Sequence, residues 1–332
     1  MCTNPPCTFY PSPTALYAVS SFMLSKPAVT MVGPKSGLIC GVVGQTIYIC
    51  GFFVSSLLYA AAPSIAWTVS VATSCIGGVA GGLLWTSQGV YFSRHASLFA
   101  QSTSQDAAKV TTDFSAVFAV VLLTAEMLAK ALSSLLFFVF GQWGLCAVVG
   151  FFTVAAGVSC VIITRIKSLD ETGTWDFSYT SISRDIGAVA RLVWMDARLA
   201  ALLPMQMAFG YSAGYVPYYF FGTIATESSW LGTGAVGLLS AVVVLSGALA
   251  AIPTAYAANV VGKGRVISIG ALCLTAVGWP LFVFSDEELG NPLTMLCLLT
   301  TYGVGRGIWE VINKAVLVDF FAQDTDSDKV GA

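Results

Sequence analysis

Nine apolar runs, at about 14–32, 38–60, 66–92, 114–140, 144–166, 199–224, 230–258, 265–285 and 291–321, cover most of this chain. A helix needs roughly 20 apolar residues to cross a hydrocarbon core of about 30 Å, and the runs are of that order. With no water in that core, a spanning backbone must satisfy its own polar groups, so only helices or a closed barrel are open to it. The runs are too long and too uniformly apolar for barrel strands, whose lumen-facing positions are polar. The expected fold class is therefore all-α, a polytopic membrane protein. Composition agrees: 56% of residues are hydrophobic, 10% are charged and the mean hydropathy is +0.80. A soluble domain carries about 25% charged residues.

Nine cysteines are scattered along the chain, and all but Cys2 and Cys7 lie in apolar runs. None forms a CxxC pair, and the one histidine, His95, is not spaced to join them, so buried apolar thiols are expected and no metal or cofactor. Cys2 and Cys7 can form a small disulfide if they face an oxidising side. The tail MCTNPPCTFYPSP has no basic stretch leading into an apolar run and is not a signal peptide. His95 follows Arg94 at a helix end with no acid or nucleophile motif beside it, so an enzymatic reading has no foothold. Nucleic acid is not an expected partner; the lipid bilayer is.

Orientation follows from the basic residues. Eleven of the 15 Lys and Arg residues fall in alternate connections: Lys35; Arg94 and Lys109; Arg165, Lys167, Arg184, Arg191 and Arg198; Lys263 and Arg265; and Lys329. The N-terminal tail and the intervening connections near 61–65, 141–143, 225–229 and 286–290 hold none. Basic loops stay on the cytoplasmic side. Residue 1 is thus expected outside or in a lumen and residue 332 in the cytoplasm, in the plasma membrane or an endomembrane.

An internal repeat organises the runs. TMVGPKSGLICG (30–41) resembles NVVGKGRVISIG (259–270), placing Gly33 over Gly262 and Gly41 over Gly270. GGLLW (81–85) resembles GRGIW (305–309). Both pairs lie six spans apart. The long basic connection at 167–198 then divides an N-terminal half, 1–166, from a C-terminal half, 199–332. Five spans precede it and four follow, so two halves of six require one more span in front and two behind. The expectation is a fragment, or a shortened member, of a twelve-helix protein.

Parallel six-helix halves around a midplane cavity are the plan of the major facilitator superfamily. Within it, VGPKSGLICGVVGQTIYICGF (32–52), GGVAGGLLWTSQGVYFS (77–93) and YGVGRGIWEVINKAVLVDFF (302–321) resemble the uncoordinated-ninety-three family. LWTSQGVYFS is similar to that family's leucine–tryptophan–threonine–x–glutamine–glycine–x–tyrosine signature. The resemblance covers residues 12–321 as helices two to ten, so about nine of twelve helices are present. It implies a cavity walled by helices four, seven and ten. Characterised relatives include channel-associated and trafficking proteins, which makes a channel or receptor subunit an implied partner. The superfamily's Asp-Arg pair after helix two is replaced here by Thr30 and Met31, and in the second half by Asn259 and Val260.

Charges inside the runs mark candidate sites. Arg306, Glu310 and Lys314 follow at steps of four and fan over about 80° of one helix face; Tyr302, Trp309 and Asn313 share that side. A lipid-facing Arg or Lys at midplane costs about 2.5–3.5 kcal/mol, so the stripe is expected to face protein or a water-filled cavity. Two readings stand: a self-neutralising ladder that locks packing, and a solute path lined by Arg306 and Glu310. The equivalent face of 66–92 carries Trp85 and Gln88 without a charge. Gly77, Gly78, Gly81 and Gly82 there suit close helix contacts. Glu126 and Lys130, acid before base at four residues, form an intrahelical pair, or Glu126 is a proton-carrying carboxylate. QMAFGYSAGYVPYY (206–219) suits a bent helix with an aromatic cavity wall around Tyr215. The substrate-contacting set is accordingly Trp85, Gln88, Glu126, Tyr215, Trp309, Arg306, Glu310 and Asn313. The two functions that follow are alternating-access transport of a small polar or ionic solute, with a coupling ion, and a non-transporting regulatory or trafficking subunit.

Overall fold

The computed structural model describes Val29 and residues 32–166, 196–224 and 236–322. The expected span at 14–32, the Cys2–Cys7 pair, Thr30, Met31, the connection at 225–229 and nearly all of the 167–198 hinge lie outside the described residues. Helix is the only regular structure among those described. In chain order α1 is Pro34–Leu58, α2 Pro63–Thr103, α3 Ala107–Phe140, α4 Gly144–Arg165 and α5 Ala197–Tyr215, which continues as π-helix over Val216–Ile224. Then come α6 (Val236–Val261), α7 (Lys263–Ala276), the single turn α8 (Asp286–Leu289) and α9 (Pro292–Ala322).

Five of these helices, α1, α2, α3, α4 and α6, are long and apolar enough to cross a membrane, as an integral multi-pass protein requires. The expected spans at 199–224, 265–285 and 291–321 contain helices that do not reach that standard. α7 has 14 residues before the chain turns at Trp279–Phe282. α9 is long, at 31 residues, yet Arg306, Glu310 and Lys314 dilute its apolar character. Outward surfaces suit lipid rather than water: Phe138 is 88% exposed and Val154 68%. An apolar surface of that kind would drive aggregation in water.

The chain divides into two compact units, Met1–Arg94 with Trp143–Asp196, and His95–Gln142 with Ala197–Ala332. The first contains α1, most of α2, and α4. Lys35 on α1 donates from Nζ to the carbonyls of Thr164 (2.7 Å) and Ile166 (2.8 Å) at the C-terminal end of α4, where the helix leaves unpaired acceptors and a partial negative charge. In the second unit α9 is enclosed by α3, α5, α6 and α7. Ile308, Val311, Ile312 and Val316 of α9 pack with Ala116, Ala251 and Ala255 in one buried cluster, so the apolar back of the helix is core. By sequence α3 belongs to the first half, but it packs on α6 and α9.

The repeat read from the sequence has a physical counterpart in each unit. Gly33 (φ 76°, ψ 152°) precedes α1 and Gly262 (φ 96°, ψ 143°) precedes α7, in a region that glycine alone enters without strain. Two turns further on, a methyl group on Gly41 would stand 2.7 Å from Leu84 Cβ, and one on Gly270 2.6 Å from Ile308 Cγ2. Leu84 is the fourth residue of GGLLW and Ile308 the fourth of GRGIW. The paired motifs therefore meet each other in both copies.

Between α6 and α9 two backbones touch. A side chain at Gly307 would strike the Gly247 carbonyl, and one at Gly303 the Val243 carbonyl. Neither obstacle can rotate away, so the helices must separate. Gly307→Val is expected to lower stability by about 2 kcal/mol through overpacking, read as a fall in Tm of the detergent-purified protein. Gly210→Ala, with nothing within 4 Å of the new methyl, is expected to leave Tm unchanged or slightly higher.

Candidate functional site

The charged stripe of α9 faces α3. Asp106 starts α3 by accepting from the Ala108 N–H (3.2 Å), and an apolar run carries the helix to Phe140, placing Glu126 well inside it. Arg306 reaches across from α9 and donates from Nη1 to Glu126 Oε1 (3.0 Å) and from Nη2 to Oε2 (2.5 Å). This two-pronged match of guanidinium to carboxylate is the strongest side-chain pairing that neutral pH allows. Lys130, one turn along α3, places Nζ 2.9 Å from the same Oε1. One carboxylate is thus shared by two cations. The three side chains are 19–32% exposed, while the Arg306 Nε–H is buried and has no partner among the described residues.

Glu310 turns from Arg306 to the other neighbour in the ladder. It is 4% exposed and accepts from Lys314 Nζ at 3.2 Å. Lys314 also lies over the Phe118 ring, 3.8 Å from its centroid, a cation–π contact that compensates for lost hydration. The three-membered ladder expected from the sequence is accordingly split. Glu310 and Lys314 neutralise each other along α9, and Arg306 pairs between helices.

A second group continues the stripe toward α5. Trp309 stacks on Phe209 with centroids 3.7 Å apart and planes 2° from parallel. Its indole N–H can only donate, and it donates to Gln206 Oε1 at 3.1 Å. That fixes the Gln206 amide, whose Nε2 donates to Asn313 Oδ1. Trp309, Gln206 and Asn313 form a closed polar chain between α5 and α9.

Tyr215 stands further along the same helix. Its ring lies between those of Tyr211 and Tyr219, with centroids 5.6 Å away on each side, and its buried hydroxyl has no partner among the described residues. Tyr219 donates from its hydroxyl to Asp286 Oδ1 at 2.6 Å. Pro217, which lacks an N–H, lies at the start of the π-helical turns over Val216–Ile224.

The expected residues thus fall in several places. Glu126, Arg306, Glu310, Trp309 and Asn313 gather on the α3–α9–α5 side of the second unit, and Tyr215 is the last residue of α5. Trp85 and Gln88 belong to α2 in the first unit, where Trp85 is 42% exposed and Gln88 half-buried. Gln206, Phe209 and Phe118 join the site although not singled out individually; a glutamine inside the apolar run at 199–224 was the available signal for the first. At the far end of α9 Lys263 bonds Asp319 at 2.5 Å and the Ala108 carbonyl at 3.3 Å, tying the start of α7 to α3 and α9. No family model matches the chain, and no curated protein matches it.

Taking Glu126 away leaves Arg306 and Lys130 facing each other without a counter-charge. Glu126→Ala is expected to cost about 3 kcal/mol, the usual result of breaking a buried pair from one side. The double variant Glu126→Ala with Arg306→Met is expected to recover most of that loss. Thermal unfolding of the four corners of this double-mutant cycle measures the coupling.

Proposed function

We propose that the chain is a multi-pass membrane protein of major-facilitator type that moves a small polar or ionic solute by alternating access, with no enzymatic step. One observation carries this reading: a bidentate Arg306–Glu126 pair joins α3 to α9 within a chain whose spans are otherwise almost free of charge. Intramembrane ionisable groups are costly to keep, and where they occur they mark solute paths and relays. The pair is accessible to about a quarter of its surface, and the Trp309–Gln206–Asn313 chain beside it offers donors, acceptors and an aromatic wall. The matching Gly33–Gly262 turns and the Gly41–Leu84 and Gly270–Ile308 contacts support two related bundles of the kind that rock about a central site. In this reading the N-terminus is external or lumenal and the C-terminus cytoplasmic.

A second reading is favoured by a different feature. Glu310 and Lys314 satisfy each other, and Arg306, Glu126 and Lys130 are bonded among themselves. Charges held in pairs along and between helices also suit a rigid, non-transporting subunit that regulates or escorts an ion channel or receptor, as the uncoordinated-ninety-three resemblance implies.

Thermal shifts of the full chain against panels of ions, amino acids and sugars separate the two. Transport predicts that one solute class raises Tm and that Arg306→Ala or Glu310→Ala abolishes the rise. A flat response across all panels, with a channel or receptor subunit copurifying in stoichiometric amount, supports the regulatory reading.

A further inference from the structure

The charges around Glu126 do not balance. Glu310 and Lys314 cancel, but Glu126 is one carboxylate shared by the Arg306 guanidinium and the Lys130 ammonium, leaving one positive charge over. Among the described residues none is placed to remove it. The sequence contains no Asp or Glu before Asp106 and none from 142 to 166, so α1, α2 and α4 have no acid to offer. α6 carries no charged residue at all, and the only ones in α5 and α7 are Arg198, Lys263 and Arg265, all basic. Asp319 is the one further acid in any of the apolar runs, and it is held by Lys263. Tyr302, one turn before Arg306 on α9, carries a phenol, which brings no negative charge at neutral pH. Donor groups remain as well as charge. The Arg306 Nε–H is buried and unpartnered among the described residues, and an ammonium has three donors, of which Lys130 gives one to Glu126. Net positive charge in a medium that solvates ions poorly demands a counter-ion.

We propose that Arg306 and Lys130 together bind a small monovalent anion, a halide or a short carboxylate, beside Glu126. This rests on the solute-path reading of the same cluster and names its ligand class. A monoanion matches the single surplus charge, whereas a dianion would overshoot it. The site lies near the middle of α3 and of α9, away from the helix ends where lipid headgroups sit, so the anion comes from solution. Glu126 sets the selectivity: its carboxylate occupies both Nη groups and repels a ligand large enough to reach it.

The test uses the purified full chain in detergent, with sodium gluconate exchanged for sodium chloride or sodium formate at constant ionic strength. Chloride or formate is expected to raise Tm by roughly 3 °C at saturation. Lys130→Met, which removes the surplus charge, is expected to lose this rise and to start from a higher Tm in gluconate, while Lys130→Arg keeps the anion response. Equal Tm in all three salts for the wild type overturns the proposal, as does an undiminished anion response in Lys130→Met. Anion uptake by proteoliposomes is a separate arm: a thermal response without flux leaves the anion site standing and overturns the transport reading.

Discussion

A charge can remain within this fold only where another group meets it, and that constraint shapes α3 and α9 more than any apolar contact does. Arg306 is flanked by Gly305 and Gly307, whose missing side chains let Cys273 and Leu274 on one side and the Gly247 backbone on the other come close. The helix is thereby held where the guanidinium can span to Glu126. Were α9 rotated by one residue, or about 100°, Arg306 would leave α3, and the buried Glu310 and Ile308 would each leave their present surroundings. Small residues and large charges thus solve one problem jointly. The glycines set the axis and the pair sets the angle.

That arrangement explains why α3 lies with the C-terminal helices. Its apolar residues Ala116 and Ala119 pack into the same buried cluster as Ala251 and Ile312, and the buried Leu123 lies against Gly247 of α6. Two of its four charged residues, Glu126 and Lys130, form the cluster with Arg306, and its first turn is tied down by Lys263 through the Ala108 carbonyl. A helix with this many fixed points on α6, α7 and α9 belongs to their unit, whatever its place in the chain.

Much of the fold was legible because a bilayer leaves few alternatives. Long apolar runs in hydrocarbon must be helices, and each run from 38 onward overlaps a described helix, although the run at 265–285 breaks after Ala276 and only five of the helices are long and apolar enough to span. Finer matters depended on distance rather than pattern. Arg306, Glu310 and Lys314 at steps of four suggest a ladder with equal force whichever neighbour each one takes; only the position of Glu126, 180 residues earlier in the chain, splits it. The Glu126–Lys130 pair was legible because both partners lie on one helix four residues apart. Gln206 stood out only as an amide among apolar neighbours, and nothing local indicates that Trp309 and Asn313 complete its bonds. The Phe118–Lys314 contact had no sequence signal, since a phenylalanine in such a run is ordinarily packing.

The two copies of the repeat separate scaffold from site. Glycine opens α1 and α7 in the same backbone conformation, and Gly41–Leu84 matches Gly270–Ile308, so close helix approach is present in both. Aligning GGLLW with GRGIW puts Gly82 in the place of Arg306, Trp85 in that of Trp309 and, one residue beyond the motif, Thr86 in that of Glu310. The tryptophan and the packing occur twice; the charges occur once. Had the charges been needed to hold such a bundle together, the first copy would be expected to carry its own pair, since it faces the same problem of packing helices in lipid. It manages with glycine, threonine and leucine. The ionic cluster of the second copy is therefore not a general need of the repeated packing motif, and that difference is the physical reason for proposing that it recognises a solute.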